Sequence, residues 1–83
     1  MTRKEFEHEM NRAKSLQRAG DRPDYWAGYI RGLQRGFHGE KFGREEEHEK
    51  WWAAADEKNA SRQELGQGYR AGFQCATMGR GSG

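Results

Sequence analysis

Two Glu-x-x-His motifs have the clearest spacing for chemistry in this chain. Glu5 and His8 form the first motif, and Glu45 and His48 form the second. On a helix this spacing places both side chains on one face, and two such pairs with two further glutamates build carboxylate-bridged two-metal sites. The carboxylates that would complete such a site stand at predicted helix starts, where capping explains them. We therefore predict no cofactor and no metal, and keep a metal site on these four residues as an alternative.

Nucleophilic and phosphate-binding chemistry has little support in the sequence. Cys75 is the single cysteine and has no local catalytic signature, which favours a packing role. The segment from Gly28 to Gly32 is not a phosphate-binding loop, because it lies inside a predicted helix and no strand precedes it. We predict that the protein is not an enzyme. A lone cysteine also excludes an internal disulfide and favours the reducing cytoplasm.

A basic set and a tryptophan pair are the residues best suited to recognition. The predicted partner-binding residues are Arg31, Arg35, His38, Lys41, Arg44, Trp51 and Trp52. Arg31 and Arg35 are expected to face away from the core. The cations suit the phosphates of a nucleic acid, with Tyr25 and Tyr29 for stacking, or an acidic protein surface, or plain solvent. Because adjacent tryptophans cannot both point inward, we expect one to be partly exposed, as binding anchors often are.

Glycines recur every four residues in two stretches of the chain that carry or neighbour these groups. The predicted helix-packing glycines are Gly28, Gly32, Gly36, Gly68 and Gly72. A glycine inside a helix costs about 1 kcal/mol against alanine, so these stripes need a structural reason. Small residues at every fourth position let two helix axes approach closely. We therefore predict that two glycine-faced helices pack directly on each other.

Apolar periodicity and capping residues predict four helices. The predicted helices cover residues 3–19, 23–38, 44–58 and 62–78. Capping boxes are predicted for Thr2 with Glu5 and for Ser61 with Glu64, and Asp21 is predicted to cap the second helix. The fold class that follows is all-α, with four helices as two αα-hairpins. Helices 2 and 4 are predicted to pack through their glycine faces.

The composition agrees with one small helical domain, predicted for residues 1–78 and followed by a flexible tail at 79–83. The 83 residues contain no valine and one isoleucine, and this shortage of β-branched side chains argues against a sheet. The net charge of +2 permits contact with nucleic acid without requiring it. Because no segment resembles a membrane span or a secretory signal, we expect a cytoplasmic protein without membrane contact. A homodimer would supplement so small a core.

The two halves of the chain share a repeat. Residues 5–34 align without gaps to 45–74 with ten identities in thirty positions, which suggests a doubled αα-hairpin. A helical wheel places His48 with the tryptophans but His8 away from the apolar face of its helix. True duplication and chance similarity both stay open, and only the glycine–tyrosine repeat serves as a packing signal.

The Gly-Tyr-x-x-Gly motifs that begin at Gly28 and Gly68 resemble those of ribosome modulation factor. The resemblance covers residues 25–39 and 65–76. That family consists of small helical proteins whose two glycine-faced helices carry similar motifs, and which bind the small ribosomal subunit and silence ribosomes. The resemblance implies helix packing of this kind and makes ribosomal RNA an expected partner. The family is shorter and more basic, and here an acidic, tryptophan-rich helix separates the motifs.

The function predicted from these features is non-enzymatic. We expect a small helical binding protein that docks on a larger protein or ribonucleoprotein complex and modulates it, as an accessory regulator or a phage-type inhibitor. One alternative is a ribosome modulator that binds ribosomal RNA, which a steep loss of binding with added salt would favour. The other is a metal-binding helical protein that uses the Glu-x-x-His pairs.

Overall fold

The computed structural model describes residues 1–79, apart from the side chains of Glu40 and Met78. Its elements are α1 (Arg3–Arg18), α2 (Pro23–His38), a 3-10 turn (Gly39–Lys41), α3 (Glu45–Ala54), α4 (Ala60–Gln74) and a π turn (Cys75–Gly79). The described part of the chain contains no strand, so the all-α prediction is confirmed. Within it, no helix has both the length and the apolar character needed to cross a membrane. Residues 80–83 of the predicted tail lie outside the described residues.

The start of α1 and its cap follow the sequence prediction. α2 also begins at the predicted Pro23, but its cap differs, and α4 differs in both its start and its cap. Thr2 and Glu5 form the predicted capping box. At α2 the N-cap is Arg22, in the left-handed conformation with φ 60°, and not Asp21. At α4 the N-cap is Asn59, whose side-chain oxygen accepts a hydrogen bond of 3.1 Å from the backbone of Arg62. The predicted second capping box is therefore wrong.

Glu64 does not cap α4, because its carboxylate forms an ion pair with Arg22 between the two hairpins. Its carboxylate forms an ion pair of 3.0 Å with Arg22, forty-two positions earlier in the chain. The arginine also lies over the ring of Tyr25, with 4.2 Å between the guanidinium carbon and the ring centroid. This ion pair joins the start of α2 to the second turn of α4.

The ends of α3 and α4 also differ from the prediction. α3 ends at Ala54, four residues before the predicted end at Lys58, because hydrogen bonds from Asp56 to Ala53 and from Glu57 to Ala54 close tight turns there. α4 ends at Gln74, where the sequence predicts continued α-helix to Met78, and the chain widens into the π turn. The shorter α3 leaves room for the backbone of Ala54 and Ala55 to lie directly against Gly66 of α4.

The helices form two hairpins, α1 with α2 and α3 with α4, and the largest interface joins α2 to α4. Its glycines contact backbone reciprocally. A Cβ on Gly28 would collide with the carbonyl of Leu65, and a Cβ on Gly68 would collide with that of Tyr25. One turn further, the same relation joins the glycines and tyrosines of the two motifs. The predicted packing of α2 and α4 through their glycine faces is confirmed.

The symmetry of this interface does not extend to the outer helices. Tyr29 donates a hydrogen bond of 2.6 Å to Glu9 on α1, whereas the equivalent Tyr69 is 2.8 Å from Nδ1 of His48 on α3. In the repeat, Glu9 aligns with Glu49 and not with His48. α1 and α3 therefore meet their tyrosines one residue out of step, in agreement with the difference between the two helical wheels.

Glu9 joins α1 to α2 through a hydrogen bond of 2.6 Å that its carboxylate accepts from the hydroxyl of Tyr29. The same carboxylate accepts two hydrogen bonds, of 3.1 and 2.6 Å, from Arg12 on its own helix. The hydrogen bond from Arg12, with that from Tyr29, lowers the pKa of Glu9 below its ordinary value of 4.5, although burial opposes this shift. Burial, and then the bond to Glu9, raises the pKa of Tyr29, so the phenol stays protonated and donates.

We expect Glu9→Gln to lower stability at pH 7 by about 1 kcal/mol, because it weakens the hydrogen bonds that Arg12 and Tyr29 donate to a charged carboxylate. Since the folded-state pKa of Glu9 is lowered, its carboxylate stabilises the fold above pH 4.5 and loses this effect as the pH falls through the folded-state pKa. The difference between variant and wild type should therefore be smaller at pH 3 than at pH 7. Urea denaturation of both proteins at pH 7 and pH 3 measures this, and an equal difference at both pH values would contradict it.

Candidate partner-binding site

The structure separates the two arginines that the sequence predicts to be exposed together. Arg35 is buried, with 6% of its surface exposed, so the prediction that it faces away from the core is wrong. Its guanidinium donates hydrogen bonds to the carbonyl of Gly43 at 3.1 Å and to Glu45 at 3.0 Å. The turn after α2 folds back and brings these acceptors over the side chain. Arg35 is therefore not on the surface where a partner would meet it.

Arg35 belongs to a buried polar group that links α2, α3 and α4. The hydroxyl of Tyr69 is 2.8 Å from Nδ1 of His48. Burial raises the pKa of Tyr69, and the neighbouring Arg35 opposes the shift. Nε of Arg35 is buried without a hydrogen-bond partner among the described residues. A cavity of about 10 Å³ borders these three side chains, which is close to the space one water molecule needs.

Arg31, one turn before Arg35, is exposed and lies against aromatic rings. Its guanidinium carbon is 5.0 Å from the ring centroid of Trp51 and 5.6 Å from that of Phe42. The ring of Trp51 also stacks on Tyr69, with centroids 5.9 Å apart and an interplanar angle of 22°. Among the carboxylates that the structure describes, none forms an ion pair with Arg31.

A groove of about 290 Å³ opens beside this stack, and we call it the Arg31 groove. Its lining residues are Arg31, Glu47, Lys50, Trp51, Ala54, Arg62 and Leu65. The half-buried Leu65 gives it an apolar part. Arg62 is held by an ion pair of 2.8 Å with Glu57, whereas Lys50 is exposed. The groove thus offers apolar surface beside three cations.

Trp52 lies on the other flank of α3. Its ring is 5.2 Å from the guanidinium carbon of Arg70, and it meets Phe73 edge to face at 5.8 Å. A second, more open groove of about 510 Å³ borders it, which we call the Trp52 groove. Both tryptophans are half-buried, so each offers part of its surface on a different side of α3. The sequence predicts that one tryptophan of the pair is partly exposed, and in the structure both are.

The remaining predicted partner-binding residues lie outside both grooves. His38 is exposed and packs its ring edge to face against Phe6 and Phe37, with centroids 5.4 and 5.1 Å apart. Lys41 and Arg44 are exposed in and after the 3-10 turn. None of these three residues lines the Arg31 groove or the Trp52 groove.

Three of the four residues of the alternative metal site, Glu5, Glu45 and His48, form other hydrogen bonds. Glu5 accepts a hydrogen bond of 2.9 Å from the backbone of Thr2 in the capping box, and His48 is engaged by Tyr69. In the described part of the chain, no three histidine, cysteine, aspartate or glutamate side chains are grouped closely enough to hold a metal ion.

Sequence reasoning did not identify Lys50, Arg62 and Leu65 as groove residues. Lys50 could have been predicted, since it precedes Trp51 on the same helix. Arg62 and Leu65 are on α4, and only the packing of α4 against α3 brings them to the groove.

Comparison with protein-family models, curated proteins and solved structures found no significant match for this chain.

Proposed function

We propose that this chain is a small non-enzymatic helical protein that docks on a larger protein complex through the Arg31 groove and modulates it. The proposal is based on the exposure and the contacts of Arg31. Its guanidinium is exposed, has no carboxylate partner in the described residues, and lies against the rings of Trp51 and Phe42. We also propose that it acts in the cytoplasm, where its single cysteine suits the reducing conditions.

An arginine held in this way suits recognition of an oxyanion. Ring contacts on the guanidinium restrict its rotation, so less side-chain entropy is lost when a carboxylate binds its N–H groups in a bidentate manner. Trp51 and Leu65 supply apolar surface next to it. Tryptophan and arginine side by side are the residue types that dominate binding energy at protein interfaces. The partner chemistry that fits is a protein surface with a carboxylate beside an apolar side chain.

The charges around the groove favour a protein over ribosomal RNA. Glu47 lines the groove beside the cations, and Glu46 and Glu49 are exposed on the same helix. A phosphate backbone that follows α3 would therefore meet carboxylates that repel it. Arg35 is buried, which removes one cation from the predicted basic set. A non-specific RNA contact needs a continuous positive track, whereas a short acidic protein segment needs only the groove.

The test is affinity capture from the cells that make the protein, with wild type, Arg31→Glu and Arg18→Glu as baits. Arg18 is an exposed arginine on α1, so its reversal controls for the change in net charge. We expect wild type and Arg18→Glu to capture the same polypeptide in similar amounts. Arg31→Glu should capture at least about ten-fold less of it, and nuclease treatment should not release it from wild type.

Two outcomes would contradict docking on a protein through this groove. Equal capture by Arg31→Glu and wild type would remove the groove from the proposal. Capture that nuclease abolishes, with a steep loss of binding at higher salt, would replace the protein partner by RNA.

A further inference from the structure

The two flanks of α3 carry opposite charge. The charged residues that line the Arg31 groove are Arg31, Lys50, Arg62 and Glu47. Those that line the Trp52 groove, apart from His48, are Glu45, Glu49, Asp56 and Arg70. Three cations and one carboxylate on one side thus balance three carboxylates and one guanidinium on the other. Each groove also contains one half-buried tryptophan.

Glu49 and Lys50 mark the boundary between these grooves. They are adjacent and exposed on α3, with Glu49 in the Trp52 groove and Lys50 in the Arg31 groove. Neither forms an ion pair within the described residues. They do not pair with each other because side chains at successive helix positions do not face each other. Ala53, one turn after Glu49, is exposed and has a short side chain, so another helix can approach this surface of α3 closely.

We propose that a second copy of this chain binds along α3 to form a symmetric dimer. A two-fold axis parallel to α3 brings the Arg31 groove of each copy over the Trp52 groove of the other. Glu49 of one copy then pairs with Lys50 of the other, and the reverse pair forms as well, as an isologous interface requires. The half-buried faces of Trp51 and Trp52 supply the apolar part of the contact.

The occupant argued for is a second copy because the chain itself carries both complementary surfaces. A partner that complements only the cations leaves the acidic groove uncovered, and RNA would be repelled by it. The dimer covers the Arg31 groove, so self-association and docking exclude one another. Self-association does not depend on the proposed function, since it requires no other protein.

The test is sedimentation equilibrium of the full chain from micromolar to millimolar concentration, for wild type, Glu49→Lys, Lys50→Glu, the double variant and Lys14→Glu. Wild type is expected to dimerise with rising concentration. Each single reversal replaces two reciprocal pairs by two repulsions and should weaken the dimer by about ten-fold. The double variant restores both pairs and should return to within about three-fold of wild type.

The control Lys14→Glu changes the net charge on α1, away from both grooves, and should leave the dimer unchanged. Wild type that stays monomeric throughout the concentration range would overturn the proposal, whatever the variants do. So would single reversals without effect, or a double variant no better than the singles. Because this assay contains no partner, a monomeric result leaves the docking proposal intact, and failure of the capture assay leaves the dimer intact.

Discussion

Replacing Gly32 with leucine is expected to abolish cooperative unfolding of this protein. A Cβ at this position would collide with the carbonyl of Tyr69 and lie 2.8 Å from the backbone nitrogen of Phe73. These neighbours are helix backbone, which cannot rotate away as a flexible side chain does. The two helices would have to separate along the largest interface of the fold.

The expected cost of this substitution is a large fraction of the whole stability of the domain. Domains of this length have a stability of roughly 4–12 kcal/mol. Overpacking by a few methylenes costs typically about 1–3 kcal/mol when side chains can adjust, and more when backbone must move. Gly32→Ala should therefore already lower the melting temperature strongly, and Gly32→Leu should leave no melting transition in circular dichroism.

Gly43→Ala is the matched control for the glycine substitutions. A Cβ there would meet only the carboxylate of Glu47 at 3.5 Å, an ordinary contact. The carbonyl that accepts from Arg35 is unchanged by the substitution, so the effect on melting should be small. If Gly32→Leu melts like wild type, the close approach of α2 and α4 through their glycines is refuted.

The second large effect is expected for Arg35→Ala, which should lower the free energy of unfolding by about 2–4 kcal/mol. The substitution empties space between α2 and α3, and it leaves the carbonyl of Gly43 without its donor. It also removes the cation beside the buried hydroxyl of Tyr69. Glu45→Ala should cost less, because the Glu45 side chain is 61% exposed and solvent already screens it.

Arg31→Ala is the control for Arg35→Ala, since it removes the same residue type one helical turn away. Arg31 is exposed, lies against two aromatic rings and forms no ion pair with a described residue, so its loss should change stability by less than about 1 kcal/mol. Urea denaturation followed by circular dichroism compares the two variants. Equal destabilisation by both substitutions would contradict the assignment of Arg35 to the fold and Arg31 to the surface.

Residue types and their spacing were enough to predict four helices and the contact between α2 and α4. The glycine spacing predicts that α2 and α4 pack through Gly28, Gly32, Gly68 and Gly72, and the structure confirms it. The absence of a Cβ is a property of each residue, and its repetition every four positions fixes a face of the helix. Local capping chemistry likewise predicts the start of α1 at Thr2 and Glu5.

Which charged residues remain on the surface depends on how distant segments of the chain pack together. Arg31 and Arg35 lie on nearly the same side of α2, so helical periodicity cannot separate them. The chain after α2 places Gly43 and Glu45 over Arg35 and leaves Arg31 open beside Trp51. In the same way, Glu64 forms an ion pair with Arg22 of the other hairpin instead of the predicted capping box. Such choices depend on where a distant segment lies in space, and a periodic pattern in the sequence contains no information on that position.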